Sequence, residues 1–244
     1  YFNFLASHDG IGVRPVEGIL GEEEVNKLLE ITESRGGYVS YKSNSDGSKD
    51  PYELNISYYN AIINGDEKDN IKVAKFVSSQ AILLSLAGIP GIYIHSLLGS
   101  NNYREGVAQT GDYRTINREK LDLKLIEDKL SDKNSLSRKI YENYTDLIKI
   151  RRKEKAFHPD AFQKILFLDD RLFTILRTSL DREERIIALH NVSSSSYSVD
   201  INLSKENIDF NSTVVELVSA ARIELNSPDL RVELEPYQVK WLKF

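Results

Sequence analysis

The chain contains no cysteine and no methionine, and only one tryptophan and six prolines among 244 residues. Without a thiol there is no disulfide, no zinc–thiolate site and no cysteine nucleophile, and the composition fits a reducing cytoplasm. Positive charge is also short. Lys and Arg number 32 against 37 Asp and Glu, for a net charge of −5, and no stretch gathers the basic residues into the stripe that binds nucleic acid. No uninterrupted apolar run reaches bilayer length. The nearest, residues 77–94, is broken by Gln80, Ser85 and Gly88-Ile89-Pro90-Gly91, so it reads as a buried helix, a turn and a short buried strand rather than a membrane span. No cluster has metal-ligand spacing, and no metal or organic cofactor is expected.

What is present is an ordinary globular composition, 41% hydrophobic and 28% charged, long enough for one large domain or two small ones. The chain opens without Met on an apolar run, residues 2–6, which is expected of the C-terminal part of a longer protein. A charged amphipathic helix follows at Glu22–Ser34, with Val25, Leu28, Leu29 and Thr32 on one face and Gly36-Gly37 as its stop. Residues 39–55 run polar and turn-rich, flanked by tyrosines. A long helix over 67–87 and a strand over 91–95 complete a strand–helix–strand order that makes a parallel sheet. A second irregular loop covers 96–117, and helical patterns return over 118–129 and 135–155. Past Phe157-His158-Pro159 the period changes to two. Short alternating runs at 164–168, 172–176, 186–190, 197–201, 213–217, 231–234 and 238–242 predict an antiparallel β domain. Five Asn-x-Ser/Thr sequences, at Asn55, Asn143, Asn191, Asn202 and Asn211, are chance in so Asn- and Ser-rich a chain.

The most informative stretch is Phe4-Leu5-Ala6-Ser7-His8-Asp9-Gly10-Ile11-Gly12. An apolar run ends at once in an imidazole and a carboxylate, and small residues then let the chain turn. A strand that delivers such groups at its C-terminal end is how a (β/α) barrel builds an active site. His-Asp-Gly also serves as a plain polar turn.

Six segments together resemble glycoside hydrolase family 13, the α-amylase family, in its sucrose phosphorylase-like subfamily: NFLASHDGIG at 3–12, DGSKDPYELNI at 46–56, GIPGIYIHSLLG at 88–99, RTINR at 114–118, FHPD at 157–160 and PYQVKW at 236–241. The PYELN segment is most similar to glucosylglycerate and sucrose-6-phosphate phosphorylases. The resemblance implies the C-terminal part of a (β/α)8 TIM barrel followed by an antiparallel β-sandwich. Residues 1–156 would run from strand seven to helix eight, with a long inserted loop at 10–65, and residues 157–244 would form the β domain. It further implies retaining transfer of an α-glucosyl group to phosphate, with a nucleophile and an acid/base upstream of Tyr1, so that this chain alone is inactive.

By the same resemblance Asp9 stabilises the oxocarbenium-like transition state and His8 hydrogen-bonds the same sugar. Tyr52 and Glu53 contact the acceptor, by ring stacking and by accepting hydroxyl hydrogens. Arg114, with its fork of donors, suits a phosphate dianion, and Arg118 either joins it or caps the following helix. The partners expected are an α-glucoside and inorganic phosphate, together with the rest of the barrel or a second copy to cover open strand edges. The competing functions are an α-glucoside hydrolase or transglycosylase on the same scaffold, and a noncatalytic sugar-binding module.

Overall fold

The computed structural model describes residues 1–210 and 213–244; the Asn-x-Ser/Thr sequence at Asn211 lies outside the described residues. In chain order come β1 (Phe2–Asn3), β2 (Ile11–Gly12), α1 (Glu22–Ser34), β3 (Tyr38–Ser43), β4 (Lys49–Asn55), α2 (Tyr58–Ile62), α3 (Asp69–Ser85) and β5 (Ile89–Pro90). Helices α4 (Ile94–Leu98), α5 (Arg104–Thr110), α6 (Leu123–Ser131) and α7 (Leu136–Lys153) follow. Eight strands close the chain: β6 (Phe162–Ile165), β7 (Leu172–Thr178), β8 (Arg185–Asn191), β9 (Tyr197–Asn202), β10 (Thr213–Glu216), β11 (Ala221–Glu224), β12 (Asp229–Leu234) and β13 (Val239–Lys243). Among the described residues, no helix is long and apolar enough to cross a membrane.

The chain divides into two compact units, one of Tyr1–Asn3, Lys68–Gly91 and Glu142–Phe244, the other of Phe4–Glu67 and Ile92–Tyr141. In the first, β1 and β5 form a parallel pair, with Phe2 opposite Ile89 and Asn3 opposite Pro90. Both apolar partners are left uncovered, Phe2 at 66% and Ile89 at 57% exposure. The strand expected at 91–95 therefore lies earlier. Gly91 gives its N–H to the Asn3 carbonyl at 2.7 Å and the chain then leaves the ladder. His95 falls on helix α4 instead, which ends at Gly99 in the left-handed conformation, φ 60°.

The C-terminal strands build a six-stranded sheet in the order β11-β10-β13-β8-β7-β6 and a two-stranded sheet, β12-β9. Strict alternation explains the pairing. Leu230, Val232 and Leu234 of β12 are buried while Asp229, Arg231 and Glu233 between them are exposed. They meet Ile187 and Leu189 of β8, Leu176 of β7 and Leu242 of β13 in one core. Strand β8 is buried along nearly its whole length because its other face packs on α3. On that face His190 is fully buried, its Nδ1 bonded to the Phe173 carbonyl at 2.9 Å and its Nε2 receiving the Trp241 indole N–H at 3.4 Å.

Burial lowers the His190 pKa from 6.5 to about 4, against the pull of the Phe173 and Ala81 backbone bonds. The unfolded chain thus binds more protons than the folded one between pH 4 and 6.5. The stability contributed by neutral His190 is present above pH 6.5 and is lost as pH falls toward 4. The expected cost is about 1.4 kcal/mol per pH unit across that window. Urea unfolding at pH 7, 5 and 4 should show wild type losing on the order of 3 kcal/mol more than His190→Gln; equal losses for the two proteins would contradict it.

In the second unit, α1 lays Val25, Leu28 and Leu29 on Val13, Val39, Leu54 and Ile56. The polar stretch 39–55 is not a loop but the hairpin β3–β4, and with β2 it makes a three-stranded antiparallel sheet ordered β2-β4-β3. Gly37 is needed where the hairpin begins, because a Cβ there would stand 2.8 Å from the Asn55 carbonyl oxygen and 2.9 Å from Thr32. The segment at 10–65 thus holds a three-stranded sheet and two helices.

Candidate active site

Three segments of the second unit make the site: residues 7–12, strand β4, and the 3-10 turn Tyr113–Asn117. Strand β2 sets Ile11 opposite Leu54 and Gly12 opposite Glu53. On the other side of β4 the register slips, with Ser40 facing Glu53 but Tyr41 facing Pro51, so Tyr52 is the extra residue of a bulge. Proline, which has no N–H to give, is tolerated beside such a break. The bulge sends Tyr52 outward at 40% exposure and turns Glu53 inward at 5%.

Segment 8–10 lies directly on β4. The Gly10 N–H donates to Glu53 Oε1 at 2.9 Å. A Cβ at Gly10 would meet the Leu54 carbonyl oxygen at 2.5 Å and Glu53 Cγ at 2.7 Å, so only glycine permits the approach. The Asp9 N–H donates to Ser7 Oγ at 3.1 Å. Asn117 Nδ2 donates to the carbonyls of Asp9, at 3.3 Å, and of Ile56, at 3.0 Å. The Tyr93 hydroxyl in turn donates to the Asn117 carbonyl at 2.5 Å.

The Asp9 carboxylate is the focus. Its Oδ1 receives Arg118 Nη2 at 3.1 Å and has Arg114 Nη1 at 3.4 Å. Its Oδ2 lies 3.7 Å from His8 Nε2. Arg118 also gives Nε–H to the His8 carbonyl at 2.8 Å, so it ties back to the 8–9 segment instead of capping the helix that follows. Arg114 Nε donates to Glu53 Oε2 at 2.9 Å, and that bond, more than any other cause, raises the Arg114 pKa. Asp112 accepts the Arg114 backbone N–H at 2.9 Å and stands 3.7 Å from Arg118 Nη1. Two guanidiniums thus share three carboxylates, and stacking of Tyr113 on Tyr38, 4.5 Å between ring centres, braces the turn that carries them.

Five of the six residues singled out by sequence, His8, Asp9, Glu53, Arg114 and Arg118, join one network, and Tyr52 acts electrostatically on Arg114. Glu53 is nearly enclosed: its side chain is only 6% exposed, and its two oxygens serve Gly10 and Arg114. Sequence reasoning missed Asn117, Asp112 and Tyr93. The signal for Asn117 was its place three residues after Arg114, which in a 3-10 turn sets both on one side. Burial raises the Tyr93 pKa, with Asp9 acting in the same direction and Arg118 against it. His95 is nearly buried, and burial lowers its pKa against the pull of Glu119. Among the described residues no group of three or more His, Asp or Glu side chains is placed to hold a metal ion.

No protein-family model matches the chain. A glucosylglycerate phosphorylase from Spirochaeta thermophila is 49% identical over 193 residues, which are 79% of this chain and 33% of that protein. The glucosylglycerate phosphorylase of Escherichia coli is 37% identical over 243 residues, all of this chain and 41% of that protein. The crystal structure of a sucrose 6F-phosphate phosphorylase from Thermoanaerobacter thermosaccharolyticum superposes with a TM-score of 0.65 at 21% identity, over 96% of this chain and 41% of that one. The chain belongs with the sucrose phosphorylase-like proteins of glycoside hydrolase family 13. It spans about a third to two fifths of the length of these family members. The α-amylases of the same family also superpose, that of Geobacillus thermoleovorans with a TM-score of 0.59 over 77% of this chain and 36% of its own, at 12% identity, which shows shared fold alone.

Proposed function

We propose that this chain supplies the acceptor and phosphate side of a retaining α-glucosyl phosphorylase, which turns an α-glucoside and phosphate into α-glucose-1-phosphate and a free acceptor. The observation that carries the proposal is the convergence of Arg114 and Arg118 on one oxygen of Asp9, at 3.4 and 3.1 Å. A pair of half-exposed guanidiniums can offer a phosphate dianion bidentate, charge-assisted bonds. Asp9 would bind glucosyl hydroxyls and stabilise positive charge at the anomeric carbon. His8 would bond the same sugar, and Tyr52 would offer its exposed ring to the acceptor. The nucleophile and the acid/base would come from elsewhere in a (β/α)8 barrel of which residues 1–156 are the last part, with β1 and β5 as neighbouring strands and residues 157–244 as an appended β domain. The remaining strands would cover the exposed Phe2 and Ile89. The higher identity to glucosylglycerate phosphorylases than to sucrose phosphorylase, 26% in the Streptococcus mutans protein, favours a glycerate acceptor.

The test is glucose-1-phosphate formation by the full-length protein from glucosylglycerate and from sucrose, with and without phosphate. Product that requires phosphate and forms faster from glucosylglycerate supports the proposal. Free glucose released regardless of phosphate makes the protein a hydrolase, and no turnover of any α-glucoside favours the sugar-binding module.

A further inference from the structure

We infer that Glu53 is a positioning residue that presets Arg114 against Asp9, rather than a ligand of the acceptor. The inference rests on the phosphorylase reading for its kinetic consequence, and on geometry alone for the clamp itself.

The carboxylate bridges two chain segments 43 and 61 residues away. Oε1 receives the Gly10 N–H at 2.9 Å, and Oε2 receives the Arg114 Nε–H at 2.9 Å. Only 6% of the side chain meets solvent, whereas those of Asp9, Arg114 and Arg118 are 41%, 39% and 35% exposed. An incoming ligand therefore meets the aspartate and the two guanidiniums, with Glu53 beneath them.

A guanidinium held at Nε has its Nη groups restricted with it, because the group is rigid and all its N–H bonds lie in one plane. Holding Nε thus aims both Nη groups, one of them at Asp9 Oδ1. At its other oxygen the same carboxylate anchors the residue next to Asp9. One anion thereby sets the spacing between the catalytic-type carboxylate and the arginine proposed to take phosphate. Tyr52 and Glu53, adjacent in sequence, would divide the work: the bulge leaves the ring to the substrate and commits the carboxylate to the scaffold.

Glu53→Gln is the sharp test. A carboxylate accepts at both oxygens, but an amide accepts at one end and donates at the other. Whichever way the introduced amide is flipped, its NH2 faces either the Gly10 N–H or the Arg114 Nε–H, donor against donor. In the full-length protein kcat/KM for phosphate is expected to fall roughly 10- to 100-fold, the scale of a lost charge-assisted bond. The ranking of acceptors in the reverse direction should stay as in wild type. The Arg114 Nε–H, followed by NMR, should lose its protection from solvent exchange. A changed acceptor ranking with unchanged phosphate kinetics would overturn the inference and make Glu53 an acceptor ligand; so would a variant with wild-type kinetics. If wild type turns over without phosphate, the phosphorylase reading fails by itself. The exchange measurement then still decides the clamp, because retained protection of Arg114 Nε–H in Glu53→Gln overturns it.

Discussion

On the proposed phosphorylase reading, Asp9→Asn in the full-length protein is expected to lower kcat for glucosyl transfer to phosphate by about a thousandfold, the upper range for removing one preorganised electrostatic group. Asn is isosteric, and its Oδ1 can still accept from Arg118 Nη2, which is 3.1 Å away in the wild type. The backbone bonds that hold residue 9, to Ser7 Oγ and Asn117 Nδ2, do not involve the carboxylate. What vanishes is the charge. Beside an oxocarbenium-like centre that charge would attract the developing positive charge, whereas the ground-state glucosyl hydroxyls it would bind are neutral and Arg114 and Arg118 neighbour it in both states. The loss should therefore fall on kcat far more than on KM for the glucoside. It also leaves Arg114 and Arg118 facing a neutral amide, so phosphate should bind no more weakly than before. Steady-state kinetics in the phosphorolysis direction test this. A variant with kcat within tenfold of wild type and a raised KM would show that Asp9 only binds the sugar, and the proposed role would fall.

The sequence disclosed the parts of this arrangement that repeat, and concealed those that depend on one residue. Helix α1 was legible to the residue because its apolar face recurs at helical spacing and Gly36-Gly37 ends it. Six of the eight C-terminal strands were visible as alternation, and the run expected at 164–168 meets another, β6, only at Lys164 and Ile165. Strand β11 was not, since Ala221, Arg222, Ile223 and Glu224 make only one four-residue alternation, three of them exposed, which is too short to stand out. The hairpin β3–β4 was hidden in the same way by Ser, Lys and Asp on an exposed strand, although Asp46-Gly47 marked its turn. The strand expected at 91–95 was lost to helix α4, because Gly99 as a left-handed cap outweighs a short apolar alternation. At the site, residue types foretold which side chains would gather but not their order of contact. That Glu53 points inward and Tyr52 outward depends on a single bulge opposite Ser40 and Tyr41, and no periodic signal carries it.

The largest effect on stability is expected from a residue with no part in the site. Arg177 is fully buried on β7, and no carboxylate pairs with it among the described residues; its guanidinium donates instead to the carbonyls of Ser85 at 2.7 Å, His158 at 2.8 Å, Phe162 at 3.3 Å and Ala161 at 3.4 Å. Arg151 does the same beside it, donating to the carbonyls of Leu84, Leu86 and Gly88. Burial lowers the pKa of each to about 10, so both stay charged at neutral pH. Two opposing effects decide what Arg177→Met does. Deleting a desolvated cation next to another cation relieves repulsion, and such replacements are neutral or stabilising where a well-packed apolar group fills the space. Here, however, the removed donors serve four carbonyls on two chain segments, including Ser85 at the end of α3, and a thioether offers them nothing. Each carbonyl left dry costs about 1–3 kcal/mol, which exceeds the relief from one buried charge already softened by carbonyl dipoles. The expected net loss is about 3–5 kcal/mol, or a drop in Tm of about 10 °C for a chain of this size. Arg177→Lys keeps the charge but not the planar fork, and its single ammonium cannot reach both Ser85 and His158, so it should fall between the two. Thermal unfolding of the three proteins tests the order. If Arg177→Met melts at or above wild type, relief of the buried charge outweighs the orphaned carbonyls, and Arg177 holds nothing together.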